Sequence, residues 1–422
     1  MIRNVTIFGL SLLMCFTANT FAQSHFYVAQ DWEDATVPDD ADWNIETENP
    51  TYCMITTDTT TVHSGSRALK AELYNPDKLY KRAEVAHTYK AAIGEQYFYR
   101  FSMYMPTTGY PANNVDGTTF TIVTQWHAYP DFGLGETWRS PNLAFAMNEA
   151  GNMRINTRYS DLPVNDNSTS VVVNHLDAQG NDYFVIPKGQ WITFEVSVRW
   201  DYTSNGYLDI WMDGTQIVNY SGPTSYNDAV GPYMKMGIYR TTWITERETI
   251  YYDNLQILKN GIIVFPLRDT YVRGGDYADD NYGTGTSMVV KDSTNTNYLR
   301  HGWFKFDFER FSNYTINNGH LYLNLMAPST VSTPLIVHRA STNWSETALT
   351  FNTAATVPIW ALQDDQTDCS QEVMDIPLPS MVNPTFTALG LRLTLGYNNA
   401  LIQIPTRESS LITKQPMLFL DF

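Results

Sequence analysis

Cysteine is scarce, helical patterning is missing and basic residues are outnumbered, and each shortage removes a class of protein. Three cysteines in 422 residues make no disulfide framework. Cys15 falls in an N-terminal segment expected to be removed. Cys53 and Cys369 stand more than 300 residues apart, so both are read as buried, unpaired thiols in different domains. Lysine and arginine total 27 against 44 acidic residues, a formal net charge of −17. Repulsion on that scale argues against nucleic acid or an anionic membrane as a partner, and more weakly against a densely sulphated substrate. A local basic groove can still take a polyanion. Long apolar runs are also missing after the first, "MIRNVTIFGLSLLMCFTANTFAQS". There Arg3 precedes an apolar stretch of about 12 residues, too short to span a bilayer, and the segment ends in small residues at Ala22. This is the pattern of a secretory signal over residues 1–22, and an exported, soluble, monomeric protein without a membrane span is expected.

What the chain does contain is aromatic and β-prone. Aromatics make up 14%, with 27 tyrosines and 11 tryptophans, set among short apolar runs that alternate with period 2. "EQYFYRFSMYMP", "GTTFTIVTQWHAY", "NLAFAMNEAGNMRINTRY", "QWITFEVSVRW", "GYLDIWMDGTQIVNY" and "PYMKMGIYR" all read as strands. "NEAGN" and "MDGT" supply hairpin turns. An all-β protein follows: a jelly-roll, concanavalin-like sandwich over residues 23–260, then a second β-sandwich over residues 261–422.

Alternate residues of a strand share a face. In "YMKMGIYR" this sets Tyr233, Lys235, Gly237 and Tyr239 against a core row of Met234, Met236 and Ile238. In "TFTIVTQWH" it sets Gln125 and His127, with Val123, against an apolar row of Phe120, Ile122, Thr124 and Trp126. In "KRAEV" it sets Arg82 and Glu84 against Ala83 and Val85. Taken singly these are a surface histidine, a cross-strand ion pair and a glycine bulge. Together, three strands with matching polar rows line a groove if they are neighbours in one sheet.

The trio "RAE", "QWH" and "YMKMGIYR" resembles the R-x-E, Q-x-H and Y-F-K-x-G-x-Y motifs of jelly-roll polysaccharide lyases: alginate lyases, glucuronan lyases and the heparin lyase I relatives. The resemblance covers roughly residues 26–258. It implies cleavage of an anionic uronate polysaccharide, alginate or glucuronan first, by β-elimination, with no required cofactor. It further implies that Gln125 hydrogen-bonds the uronate carboxylate and that Arg82 binds it or the adjoining sugar. Tyr239 would transfer a proton at O4, with His127 as the C5 base or with Tyr239 performing both steps. Lys235 would support Tyr239 or a subsite, Arg240 is a second cation able to act on the tyrosine, and Glu84 would orient Arg82. Arg139, Asn142 and Arg154 are further candidates for substrate contact.

The second unit, with "DTYVRGGDYADDNYGTGTSMVVKDS", "WFKFDF" and "NWSETALTFNTAA", resembles the DNRLRE-type carbohydrate-binding modules. Its residues alone show a Tyr/Asp/Asn-rich β-domain in which Asp269, Asp276, Asp279 and Asp280 are candidate calcium ligands through oxygen. Two other functions stay open: a jelly-roll glycoside hydrolase, which needs a carboxylate pair, and a non-catalytic carbohydrate-binding protein.

Overall fold

Strands that alternate apolar and polar residues bury one face each, and here they do so by pairing into two sandwiches. The computed structural model describes residues 27–422 except 35–40, 48, 75–80, 114–119, 243–245, 364–367, 380, 383–384 and 398. The segment read as an export signal lies outside the described residues. In the first sandwich an 8-stranded antiparallel sheet faces a 7-stranded one. The 7-stranded sheet runs, edge to edge, Val171–Asn174, Met153–Tyr159, Leu143–Met147, Thr121–His127, Tyr233–Arg240, Arg82–His87 and Trp43–Glu46. The three motif strands are therefore adjacent and central.

The interior between the sheets is aromatic and sulphur-rich. Tyr97, Tyr99, Phe101 and Met103 enter from one side, and Trp126, Phe145, Met234, Met236 and Ile238 from the other. Ala83 and Val85 join them, as alternation requires. The second sandwich packs a 4-stranded sheet on a 7-stranded one, and begins where Gly261–Val264 pairs with Met417–Asp421. Cys53 and Cys369 are buried in separate cores.

Alternation fails at one place that shapes the groove. Ile122 pairs with Ala146 and Thr124 with Phe145, so Val123 is an extra residue on its strand. A bulge of this kind shifts every side chain on one side of it. Val123 consequently enters the core, and Ile122 and Phe120 turn to the groove, opposite to the even alternation expected from "TFTIVTQWH". The neighbouring strand carries a matching irregularity between Met236 and Tyr239. Gly237 absorbs it with φ of 140°, and a Cβ there would stand 2.1 Å from the Ala83 carbonyl oxygen. Only glycine fits that approach.

The second sandwich seats on the outer face of the 8-stranded sheet. Phe98 and Trp211 point away from the first core and join the second, edge-on to Phe311. The Arg310 guanidinium grips the Glu195 carboxylate with two nitrogens, and Gln96 donates to the Gly261 carbonyl at 3.1 Å. The outer face of the 7-stranded sheet, where the motif residues lie, is on the opposite side of the molecule.

Candidate active site

The outer face of the central strands forms a cleft of about 490 Å³ lined by Arg82, Gln125, His127 and Tyr239 together with Asn156 and Arg158. Ala144 and Ala146 form part of its wall, and such small side chains leave the sheet open to a ligand. Register fixes the order of the polar groups. Tyr239 stands opposite Arg82 on one side and Ile122 on the other; Gly237 faces Glu84, Lys235 faces Gln125, and Tyr233 faces His127.

A chain of contacts runs from Tyr239 to Gln125. The Arg82 guanidinium carbon lies 4.5 Å from the centre of the Tyr239 ring. Its Nε is 3.1 Å from Glu84 Oε2, and Glu84 Oε1 accepts from Gln125 Nε2 at 2.6 Å. Gln125 is 1% exposed and its Oε1 has no hydrogen-bond partner among the described residues. Burial raises the Glu84 carboxyl against the lowering effect of Lys235 and Arg82. For Arg82, burial opposes the charge, but Glu84 and Glu46 outweigh it and raise the pKa. The guanidinium is thus fixed as a cation beside the phenol.

His127 is held differently. Its Nδ1 lies 2.8 Å from the Ala128 carbonyl oxygen, which can only accept, so Nδ1 carries the hydrogen and Nε2 the lone pair. Burial, then the positive charge of Lys235, pushes its pKa down to about 3. The imidazole is neutral at physiological pH. Two exposed aromatic rings mark the rim: Trp138, 5.7 Å from the His127 ring, and Phe120, 5.6 Å from the Tyr239 ring.

Several residues expected at the substrate lie elsewhere. Lys235 is buried, with Nζ 2.5 Å from Glu46 Oε2, and does not line the cleft. Arg240 follows Tyr239, so alternation sends it to the opposite face, where it pairs with Glu248 at 2.7 Å. The cation at Tyr239 is Arg82, and neither Lys235 nor Arg240 fills that place. Arg139 borders the cleft, but its charge is spent on Glu136, at 2.8 Å, and on Asp228. Asn142 is buried outside the cleft lining, and Arg154 reaches Asp182 at 3.2 Å near the strand end.

Sequence reading missed Glu46, which receives both Arg82 and Lys235 on one oxygen. It belongs to a short edge strand that no motif marks. It also missed Arg158, whose guanidinium donates to Asn156 at 2.8 Å and makes no ion pair among the described residues. Arg158 shares a strand face with Arg154, so alternation was the available signal. In the second sandwich, Asp269 groups with Glu346 and Glu408. Asp276 and Asp279 are instead engaged by Asn297 and Asn352, so the expected four-aspartate set does not assemble.

Comparison with known proteins places the chain in a family. Residues 21–256 match the family model described as polysaccharide lyase, and residues 263–408 match carbohydrate-binding module family 96. No curated protein matches the chain. Among solved structures, an endo-β-1,4-glucuronan lyase from the fungus Trichoderma reesei is 17% identical, with a TM-score of 0.44 over 55% of this chain and 94% of that one. The alginate lyase AlyC3 is 14% identical, with a TM-score of 0.35 over 49% and 78%. The alginate lyase vAL-1 from Chlorella virus is 10% identical, with a TM-score of 0.36 over 52% and 93%. The family model takes in more than half of the chain and all three motif strands, and the protein belongs to the polysaccharide lyase family.

Proposed function

We propose that this enzyme is exported and cleaves a uronate-containing polysaccharide, alginate or glucuronan, by β-elimination. The observation that carries the reading is the charge of the cleft wall. In a chain of net charge −17, its lining holds Arg82 and Arg158, the second without an ion pair, together with a histidine, a tyrosine and no carboxylate among the described residues. A glycoside hydrolase needs a carboxyl pair across the bond, and among the described residues this wall offers none. A β-elimination needs the uronate's negative charge offset, a base at C5 and an acid at O4.

The residues divide that work. Arg82 and the Gln125 amide offset the carboxylate as charge spreads from C5, and Arg158 holds a neighbouring uronate. His127 Nε2 takes the C5 proton. The C5–H electrons form the C4–C5 double bond, the C4–O4 bond breaks, and the Tyr239 hydroxyl gives its proton to O4. Incubation with pure alginate, glucuronan, ulvan and glycosaminoglycans tests this. New ends absorbing in the ultraviolet are expected from a uronate polymer, whereas reducing ends without that absorbance would mean hydrolysis.

A further inference from the structure

Three carboxylates meet in the second sandwich with one guanidinium to answer them. Asp269 stands on the strand Pro266–Arg273, Glu346 on the loop after Leu335–Ala340, and Glu408 on the loop after Leu401–Pro405. One oxygen of each lies within 4.8 Å of the others. Among the described residues Arg407 supplies the positive charge: its Nη1 is 3.3 Å from Glu346 Oε2 and its Nε 3.7 Å from Glu408 Oε1. Three carboxylates against one guanidinium leave two negative charges, and an excess of that kind is unfavourable in a buried place unless a counter-ion joins it.

Asp269 shows where the counter-ion belongs. The residue is 1% exposed, and its Oδ2 accepts from the Arg407 backbone N–H at 2.8 Å. Its Oδ1 is shut off from solvent and has no hydrogen-bond partner among the described residues. The Asp269 backbone N–H donates to Glu346 Oε1 at 2.8 Å, which sets two of the three carboxylates against each other. The Asn281 amide donates to the carbonyls of Glu346 and Leu349, each at 2.8 Å, and so fixes the Glu346 loop. Burial first, and then the charges of Glu408 and Glu346 against the Arg407 amide, push the Asp269 carboxyl up to about 8. A single shared proton would leave the cluster negative, whereas a divalent cation leaves it neutral.

We propose that Asp269, Glu346 and Glu408 form a calcium site in the second sandwich. Calcium takes about six to eight oxygens at about 2.4 Å in uneven geometry, whereas magnesium demands a near-regular octahedron and holds its waters. Ligands drawn from one strand and two loops make the uneven kind of shell, and water completes it on the partly exposed side of Glu346 and Glu408. The loop that carries Glu408 also rests on the first sandwich. There the Ser410 carbonyl accepts from the Gly65 backbone N–H at 3.0 Å, and Thr413 Oγ1 donates to Asp31 Oδ2 at 2.7 Å. Calcium thereby ties this junction loop to the strand of Asp269.

The test uses the full chain, stripped with a chelator and dialysed, at neutral pH. Terbium, a luminescent stand-in for calcium, should be sensitised by Trp344, two residues from Glu346, and displaced by calcium. Calcium should raise the melting temperature by several degrees, and magnesium by much less. Asp269→Asn and Glu408→Gln should each weaken calcium binding at least tenfold in titration calorimetry. Glu408 is partly exposed, so Glu408→Gln keeps the site testable if Asp269→Asn fails to fold. A chain whose melting and calorimetry are indifferent to calcium would overturn the proposal. So would calcium affinity unchanged in Glu408→Gln, which would put the ion elsewhere in the molecule. None of these readings depends on cleavage of a polymer.

Discussion

Arg82 and Tyr239 face each other across two central strands, with the guanidinium 4.5 Å from the phenol ring. Arg82 is also tied to Glu46 at 2.9 Å and Glu84 at 3.1 Å, so its plane is set from two sides. Lysine has the charge but neither the fork nor the stacking plane. Arg82→Lys is therefore expected to lower kcat/KM for a uronate polymer by about 10- to 100-fold, and Tyr239→Phe to lower kcat by about 100-fold or more. Steady-state ultraviolet assays check both; full activity in Tyr239→Phe would remove the tyrosine from the reaction.

The depressed pKa of His127, about 3, has two consequences. Its imidazole should show no titration near pH 6 to 7, and an NMR-detected histidine titrating there that is missing from His127→Gln would overturn the neutral ring. For stability, the unfolded imidazole titrates near 6.5 and the folded one about 3, so between these values the unfolded state binds more protons. Stability then rises with pH through that window. His127→Gln should flatten this rise in urea melts taken from pH 4 to 7.

Gly237 occupies a backbone conformation and a closeness to Ala83 that a methyl group cannot share. Gly237→Ala should destabilise the fold by about 2–4 kcal/mol, read from denaturant midpoints, and displace the Glu84 and Tyr239 strands together. A melt like that of the unmodified chain would show the close approach to be wrong.

The sequence carried the fold through period 2, and the same period put Arg82, Gln125, His127 and Tyr239 on the side that lines the cleft. Arg240 was misplaced where alternation was not applied to it, since it neighbours a groove residue and must face away. Phe120, Ile122 and Val123 were misplaced because a one-residue bulge leaves no mark in an unbroken β-prone run. Arg139 looked available because its partners Glu136 and Asp228 are brought to it by loops. Glu46 was invisible for a related reason: its meeting with Lys235 spans 189 residues, and no local pattern encodes a pairing of that range.

Lys235 offers the sharpest separation of a structural from a substrate-binding role. It sits at the centre of the motif, yet its side chain is 3% exposed and its ammonium rests on Glu46, with the Arg82 guanidinium on the same oxygen. Removing Glu46 would leave a buried ammonium without its carboxylate, and Glu46→Gln should cost on the order of 2–3 kcal/mol, discounted because Glu46 is partly exposed. Replacing both charges removes the penalty at its source. Glu46→Gln/Lys235→Met should therefore recover most of that loss, since an apolar side chain of similar volume is often neutral in place of a buried charge. Lys235→Met alone should leave KM for oligouronates within about threefold while lowering the melting temperature. If instead KM rises by tenfold or more with stability unchanged, Lys235 touches the substrate and its ion pair with Glu46 opens on binding.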